Sequence, residues 1–199
     1  MQRRRLGPLA RVVFYVLGQC ADVSKQEPVI FSSLMGEIQR TQSILNDIAA
    51  DQPVSPASFS LSVHNAISGQ WSLIYGIKAP MVALSPTDGS FVAALIEAGG
   101  ILQEKIYSEV NIVLYEEDYP AFYTPFIKGP TAPTALALRL VTEEQSGPGT
   151  LTLTLSPAKN ADSCIKPQGP LDLVPLLKKD LSYLDIAEPQ SNWHLEYSS

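Results

Sequence analysis

Between Pro56 and Leu114 the chain lays out an extended stretch, a helix, a strand, a tight turn, a second helix and a second strand. The first helix is apolar on one side and ends in Gly76-Ile-Lys-Ala-Pro, which leads into the strand Met81–Leu84. Pro86-Thr-Asp-Gly then opens a small-residue helix, expected over Ser90–Leu102, and Val110–Tyr115 closes the unit. That order is how strand–elbow–helix enzymes present a nucleophile, because the sharp turn lifts one side chain above the sheet. Here the elbow carries Asp88 and Gly89, with no Cys or Ser at its tip. The segment reads as a catalytic frame without its nucleophile.

The rest of the chain extends this α/β pattern. A helix is expected from Pro8 to Ala21, with Pro8 in its first turn, where a missing N–H costs nothing. Val29–Ser32 reads as a short buried strand. A second helix should run from Gly36 to Ala50 on a stripe of Ile38, Ile44, Leu45 and Ile48. Strands alternating with helices argue for a sheet covered on both faces. After Asp118, four prolines between Pro120 and Pro133 exclude a regular helix. Ala135–Val141 and the alternating Thr150–Leu155 are expected to pair as an antiparallel hairpin. A short helix within Pro170–Leu184 and a terminal strand at Trp193–Glu196 complete a single domain over 1–199.

Composition limits what such a chain does. Of its 199 residues, 45% are hydrophobic and 17% charged, enough for a sizeable core and too apolar for disorder. The net charge is -6, and the one dense basic run, Arg3-Arg4-Arg5, has no aromatic platform beside it, which argues against nucleic-acid binding. Gly7, Pro8 and Arg11 interrupt the apolar run that follows, so neither a signal peptide nor a membrane span is expected. Cys20 and Cys164 stand far apart, with no CxxC pair; Cys20 reads as a buried thiol and the chain as cytoplasmic.

Few residues offer chemistry. His64 follows Ser62 by two positions, but residues two apart face each other on neither a strand nor a helix, so the pair is a poor dyad. His194 is isolated near the end, and two such histidines provide no metal spacing. Asp88 suits a helix cap and Glu37 a first helical turn. Glu116, Glu117 and Asp118 could approach a cation, but one local run is no oxygen cage, and a solvated turn is expected. Neither a Gly-x-Gly-x-x-Gly nor a Walker pattern is present, and no cofactor is expected.

Phe31-Ser-Ser-Leu-Met-Gly-Glu-Ile, Ser55-Pro-Ala-Ser-Phe-Ser-Leu-Ser-Val-His-Asn-Ala-Ile-Ser-Gly and Gly76-Ile-Lys-Ala-Pro together resemble the N-terminal half of β-ketoacyl synthases. They are most similar to the short chain-length-factor-like branch, to which Arg3-Arg-Arg-Leu-Gly-Pro-Leu-Ala and Trp193-His-Leu-Glu also correspond. The resemblance implies one copy of a thiolase-like layer, an α/β half-fold with a mixed sheet and helices on both faces. It also places the family's condensing cysteine at Asp88, and a carboxylate cannot carry the acyl thioester. The histidines and lysine of a complete synthase belong to a C-terminal half that a chain of this length is not expected to hold.

The resemblance therefore implies a non-catalytic partner of a full-length β-ketoacyl synthase subunit, meeting acyl carrier protein through the complex. Its setting would be aryl-polyene, polyketide or fatty-acid synthesis. His64, Asn65, Ile67, Trp71, Met81 and Val82 are the candidates for the partner interface and acyl tunnel. Two rivals remain: a scaffold that stabilises its partner without setting chain length, and an autonomous hydrolase or acyl transferase using Ser62, Ser85 or Ser90 with His64.

Overall fold

The computed structural model describes residues 6–86, 91–142, 148–156, 169–187 and 192–198. The expectations for Asp88, Ser90 and Cys164 lie outside these residues.

Two short strands and one long one build the centre. β1 (Val29–Ser32) is β-branched and aromatic and wholly buried, as is β3 (Glu109–Glu116). They pair in parallel, with Ile30 opposite Ile112 and Phe31 opposite Val113. β2 (Met81–Leu84) adds in parallel on the other side of β1, and β4 (Thr134–Val141) adds antiparallel to β3. The sheet order is therefore β2-β1-β3-β4. Burial on both faces explains why β1 and β3 read as continuous apolar runs.

Each face has its own core. α1 (Pro8–Cys20) starts with Pro8 in its first turn and buries Leu9, Val13, Phe14 and Leu17, a single helical stripe. That stripe lies across β3 and β4 and meets α4 (Ala66–Tyr75), whose Ile67 and Trp71 complete the cluster with Phe31, Val113 and Tyr115. On the opposite face α5 (Val92–Gln103) packs Val92, Leu95 and Ala98 against Ile30, Ile112 and Leu114. Its small residues allow this close approach. The described helix begins at Val92 with Phe91 in the cap position, two residues later than expected.

The second half of the chain contributes a second sheet. β5 (Thr150–Ser156), β6 (Tyr183–Ala187) and β7 (Asn192–Ser198) are antiparallel in the order β5-β7-β6. The expected hairpin of Ala135–Val141 with Thr150–Leu155 is thus incorrect. β4 spends its ladder on β3 and β5 on β7, because the long apolar β3 supplies eight paired positions that a local hairpin would forgo. A 3-10 turn (Pro170–Leu173) runs into α6 (Val174–Leu177), and Leu173 and Leu176 join the core beneath the second sheet.

Three local expectations also differ from the structure. Residues leading to α4 are not extended: α3 (Pro56–Ser60) forms there, with Ser55 as N-cap accepting from the Ser58 amide and Pro56 at the first helical position. In α2 (Ile38–Ala49) only Ile38 and Ile44 are buried, while Leu45 and Ile48 are about half exposed. Cys20 is half-buried rather than buried, and burial raises its thiol pKa.

Candidate functional site

The strand order reverses direction at β1: the chain leaves β1 for β2 on one side, then crosses through α5 to β3 on the other. Above such a switch point the loops diverge and open a crevice at the carboxyl ends of the strands. A small, shallow cleft lies there, lined by Ser33 and Leu34 after β1, by Leu114 and Glu116 of β3, and by Pro86 and Phe91. Pro86 and Phe91 flank residues 87–90 in the sequence.

The loop from Ser33 to Glu37 forms one wall and is held from several sides. Its own turn is closed by the Gly36 amide donating to Ser33 Oγ at 2.8 Å. From the elbow side, Ser85 Oγ donates to the Leu34 carbonyl at 2.8 Å. Behind it, His64 Nε2 lies 2.7 Å from the Ser33 carbonyl. A carbonyl only accepts, so Nε2 carries the proton and donates it. His64 is a positioning residue for this loop. Gly36 has φ +58°, and a Cβ there would approach His64 Cδ2 to 3.2 Å. Gly36→Ala is expected to lose about 1–2 kcal/mol of stability from the left-handed backbone alone, measured as a lower urea midpoint; an unchanged midpoint would refute the close packing.

From β3, the loop is held by carboxylates. Glu116 accepts from the Leu34 amide, and its Oε2 lies 3.5 Å from the Met35 amide and accepts from Tyr119 Oη at 3.2 Å. Glu117 Oε1 accepts from the Gln39 amide at 2.9 Å in the first turn of α2, and Gln39 Nε2 donates to the Asp118 carbonyl at 2.7 Å. Glu37 occupies the N-cap position of α2 and pairs with Arg40 at 2.9 Å. Glu37, Glu116 and Glu117 are all buried, so the expected solvated turn is incorrect for Glu116 and Glu117. They sit at the positive end of α2, where unpaired N–H groups favour anions. Burial nevertheless raises both pKa values, that of Glu117 to about 7. No sequence pattern near 116–118 announces this role, because the helix they serve starts almost eighty residues earlier.

Two of the candidate hydroxyls, those of Ser62 and Ser85, are committed to backbone carbonyls. Ser62 Oγ donates to the Phe59 carbonyl at 2.8 Å, so Ser62 and His64 form no dyad, and Ser85 serves the Leu34 carbonyl. Among the interface candidates, His64 is half-buried, Asn65 exposed, and Met81 and Val82 half-buried on the sheet edge. Ile67 and Trp71 are each 1% exposed and belong to the core. The exposed apolar residue of α4 is Leu73, 82% accessible. His194 bridges strands: Nδ1 is 2.5 Å from Asp185 Oδ1 and Nε2 3.2 Å from Glu196 Oε1, which raises its pKa. Among the described residues no three His, Cys, Asp or Glu side chains converge as a metal site, and no helix is long and apolar enough to cross a membrane.

Known proteins bear on this architecture. A solved structure titled as the ketosynthase ApeO in complex with its chain length factor ApeC, from Xenorhabdus doucetiae, contains a chain similar in fold. The TM-score is 0.77 at 24% identity, over 98% of this chain and 80% of that one. A search of curated proteins returned no match. The fold is one copy of the thiolase-like α/β unit, with a mixed sheet and helices on both faces. The family model described as "Beta-ketoacyl synthase, N-terminal domain" matches residues 1–196, and the chain belongs to that family.

Proposed function

We propose that this chain is a catalytically silent, chain-length-factor-like partner of a β-ketoacyl synthase that shapes the end of the synthase's acyl tunnel. The observation that carries the reading is the elbow: in a β-ketoacyl synthase fold, residues 85–90 read Ser-Pro-Thr-Asp-Gly-Ser, with no cysteine. The described side chains around it do not replace that nucleophile, since Ser85 and His64 are bound to backbone carbonyls. The similar solved structure pairs a ketosynthase with a chain length factor, which supports a partnered role. So does β2, an edge strand whose four residues are all half-exposed, beside the exposed Leu73. An apolar strand edge invites pairing with another chain.

Co-expression with a candidate β-ketoacyl synthase tests the proposal. The complex is expected to co-purify and to give a product-length distribution different from that of the synthase alone. A synthase that neither binds the chain nor changes its products or rate would sink it. Bulk added at Met81 or Val82 is expected to shorten the product with the complex intact. If product length stays unchanged in an intact complex, the chain is a scaffold. A serine acyl-enzyme trapped on the isolated chain and lost in His64→Ala would instead establish the hydrolase or acyl transferase.

A further inference from the structure

The carboxylates at the end of β3 do more than fill a helix terminus. Glu116 and Glu117 grip both ends of one short segment: Glu116 holds the amides of Leu34 and Met35, and Glu117 holds the Gln39 amide at the start of α2. Ser33 and Leu34 in that segment form a wall of the cleft. We propose that Glu116 and Glu117 form a proton-linked latch on the β1–α2 loop, closed when they carry protons and loosened when they ionise. This inference concerns the chain itself and stands whether or not the partner reading holds.

The surroundings decide the direction. From α2, Glu37 adds a third buried carboxylate and Arg40 the cation that pairs with it. From the connection after β3, Asp118 adds further negative charge and Tyr119 donates one hydrogen bond. From β3 itself, Tyr115 presents a buried hydroxyl that has no hydrogen-bond partner among the described residues. From the link between α3 and α4, His64 is occupied with the Ser33 carbonyl. Negative groups therefore outnumber the described cation, and burial withholds the water that would stabilise a second or third ionised carboxylate. Ionisation favours any opening that returns Glu117 to solvent, and such an opening must release the Gln39 amide. Apart from the carboxylates the short loop is held by single hydrogen bonds, from the Ser33 amide to the Leu84 carbonyl, from the Gly36 amide to Ser33 Oγ, from Ser85 to the Leu34 carbonyl and from His64 to the Ser33 carbonyl, and it turns through left-handed Gly36.

Amide hydrogen exchange by NMR on the full chain, from pH 5.5 to 8.5 and normalised to intrinsic rates, tests the latch. Leu34 and Gln39 are expected to be less protected than central-strand Ile112 at every pH, showing a local opening. The protection of Gln39 should fall by about ten- to a hundredfold across that range, in keeping with a Glu117 carboxyl pushed up to about 7, and that of Leu34 should fall in the same direction. In Glu117→Gln the Gln39 dependence should flatten, because an amide keeps the acceptor and loses the titration. Protection equal to that of Ile112, or insensitive to pH, would overturn the latch. The carboxyl carbon of Glu117 in the unmodified chain provides an independent reading: a midpoint near the ordinary 4.5 would overturn it too.

Discussion

Trp71→Ala is expected to remove about 3–5 kcal/mol from the stability of the isolated chain, the range for deleting a large buried aromatic. Trp71 is 1% exposed, with its ring edge-on to Phe14 at 5.0 Å and tilted against Tyr75 at 4.3 Å. It joins α4 to α1 on one face of the sheet, so the cavity left by alanine would separate two helices and could not close by moving one. A domain of this kind has only about 5–15 kcal/mol in reserve, and the variant should unfold at a much lower urea concentration. Trp71→Phe should lose markedly less. The measurement also separates two roles for the residue. A tunnel or interface residue would leave the isolated chain unaffected and change only its association, so a loss below about 1 kcal/mol would return Trp71 to the interface.

How far the sequence predicted this outcome depends on the range of the interactions involved. Val29–Ser32, the Pro8 helix and the Val110–Tyr115 strand were legible because each carries its own signal, a continuous apolar run or a Pro-started amphipathic stripe. Ser55-Pro56 carried one as well, an N-cap followed by proline, although the stretch read as extended. The pairing of β4 and β5 was not legible. Both are good strands separated by a turn-rich segment, and only the competing partner β3, absent from any local window, decides against the hairpin. The absence of a cysteine from residues 85–90 was plain in the letters. The buried carboxylates beside the cleft were not, since Glu-Glu-Asp is locally indistinguishable from a solvated turn until α2 is brought against it. Leu45 and Ile48 show the converse: helical spacing identified a stripe but not how much of it the fold would cover.

Raising the pH from about 4.5 to 7 is expected to destabilise the folded chain through Glu117, and Glu117→Gln should abolish that part of the dependence. The native carboxyl titrates near 7, against an ordinary 4.5. Between those values the folded state binds more protons than the unfolded state, so the unfolding free energy falls as pH rises. Below 4.5 both states are protonated and the group is neutral in its effect; above 7 both are ionised and the full cost is present. Solvent near the rim of the site screens part of that cost, and a gain of about 2 kcal/mol is expected for Glu117→Gln at pH 8. Other groups titrate nearby. His194, held above its ordinary value by Asp185 and Glu196, also loses its contribution as pH rises through its folded pKa. Glu109, held below its ordinary value first by Lys25, acts in the opposite sense and only at acid pH. The difference between the unmodified chain and Glu117→Gln cancels both and isolates the one carboxyl. Urea unfolding of the two proteins at pH 5, 6, 7 and 8 should give curves that converge toward acid and part by pH 8. Parallel curves would mean that Glu117 ionises without cost, and that the Gln39 amide and the end of α2 compensate its burial in full.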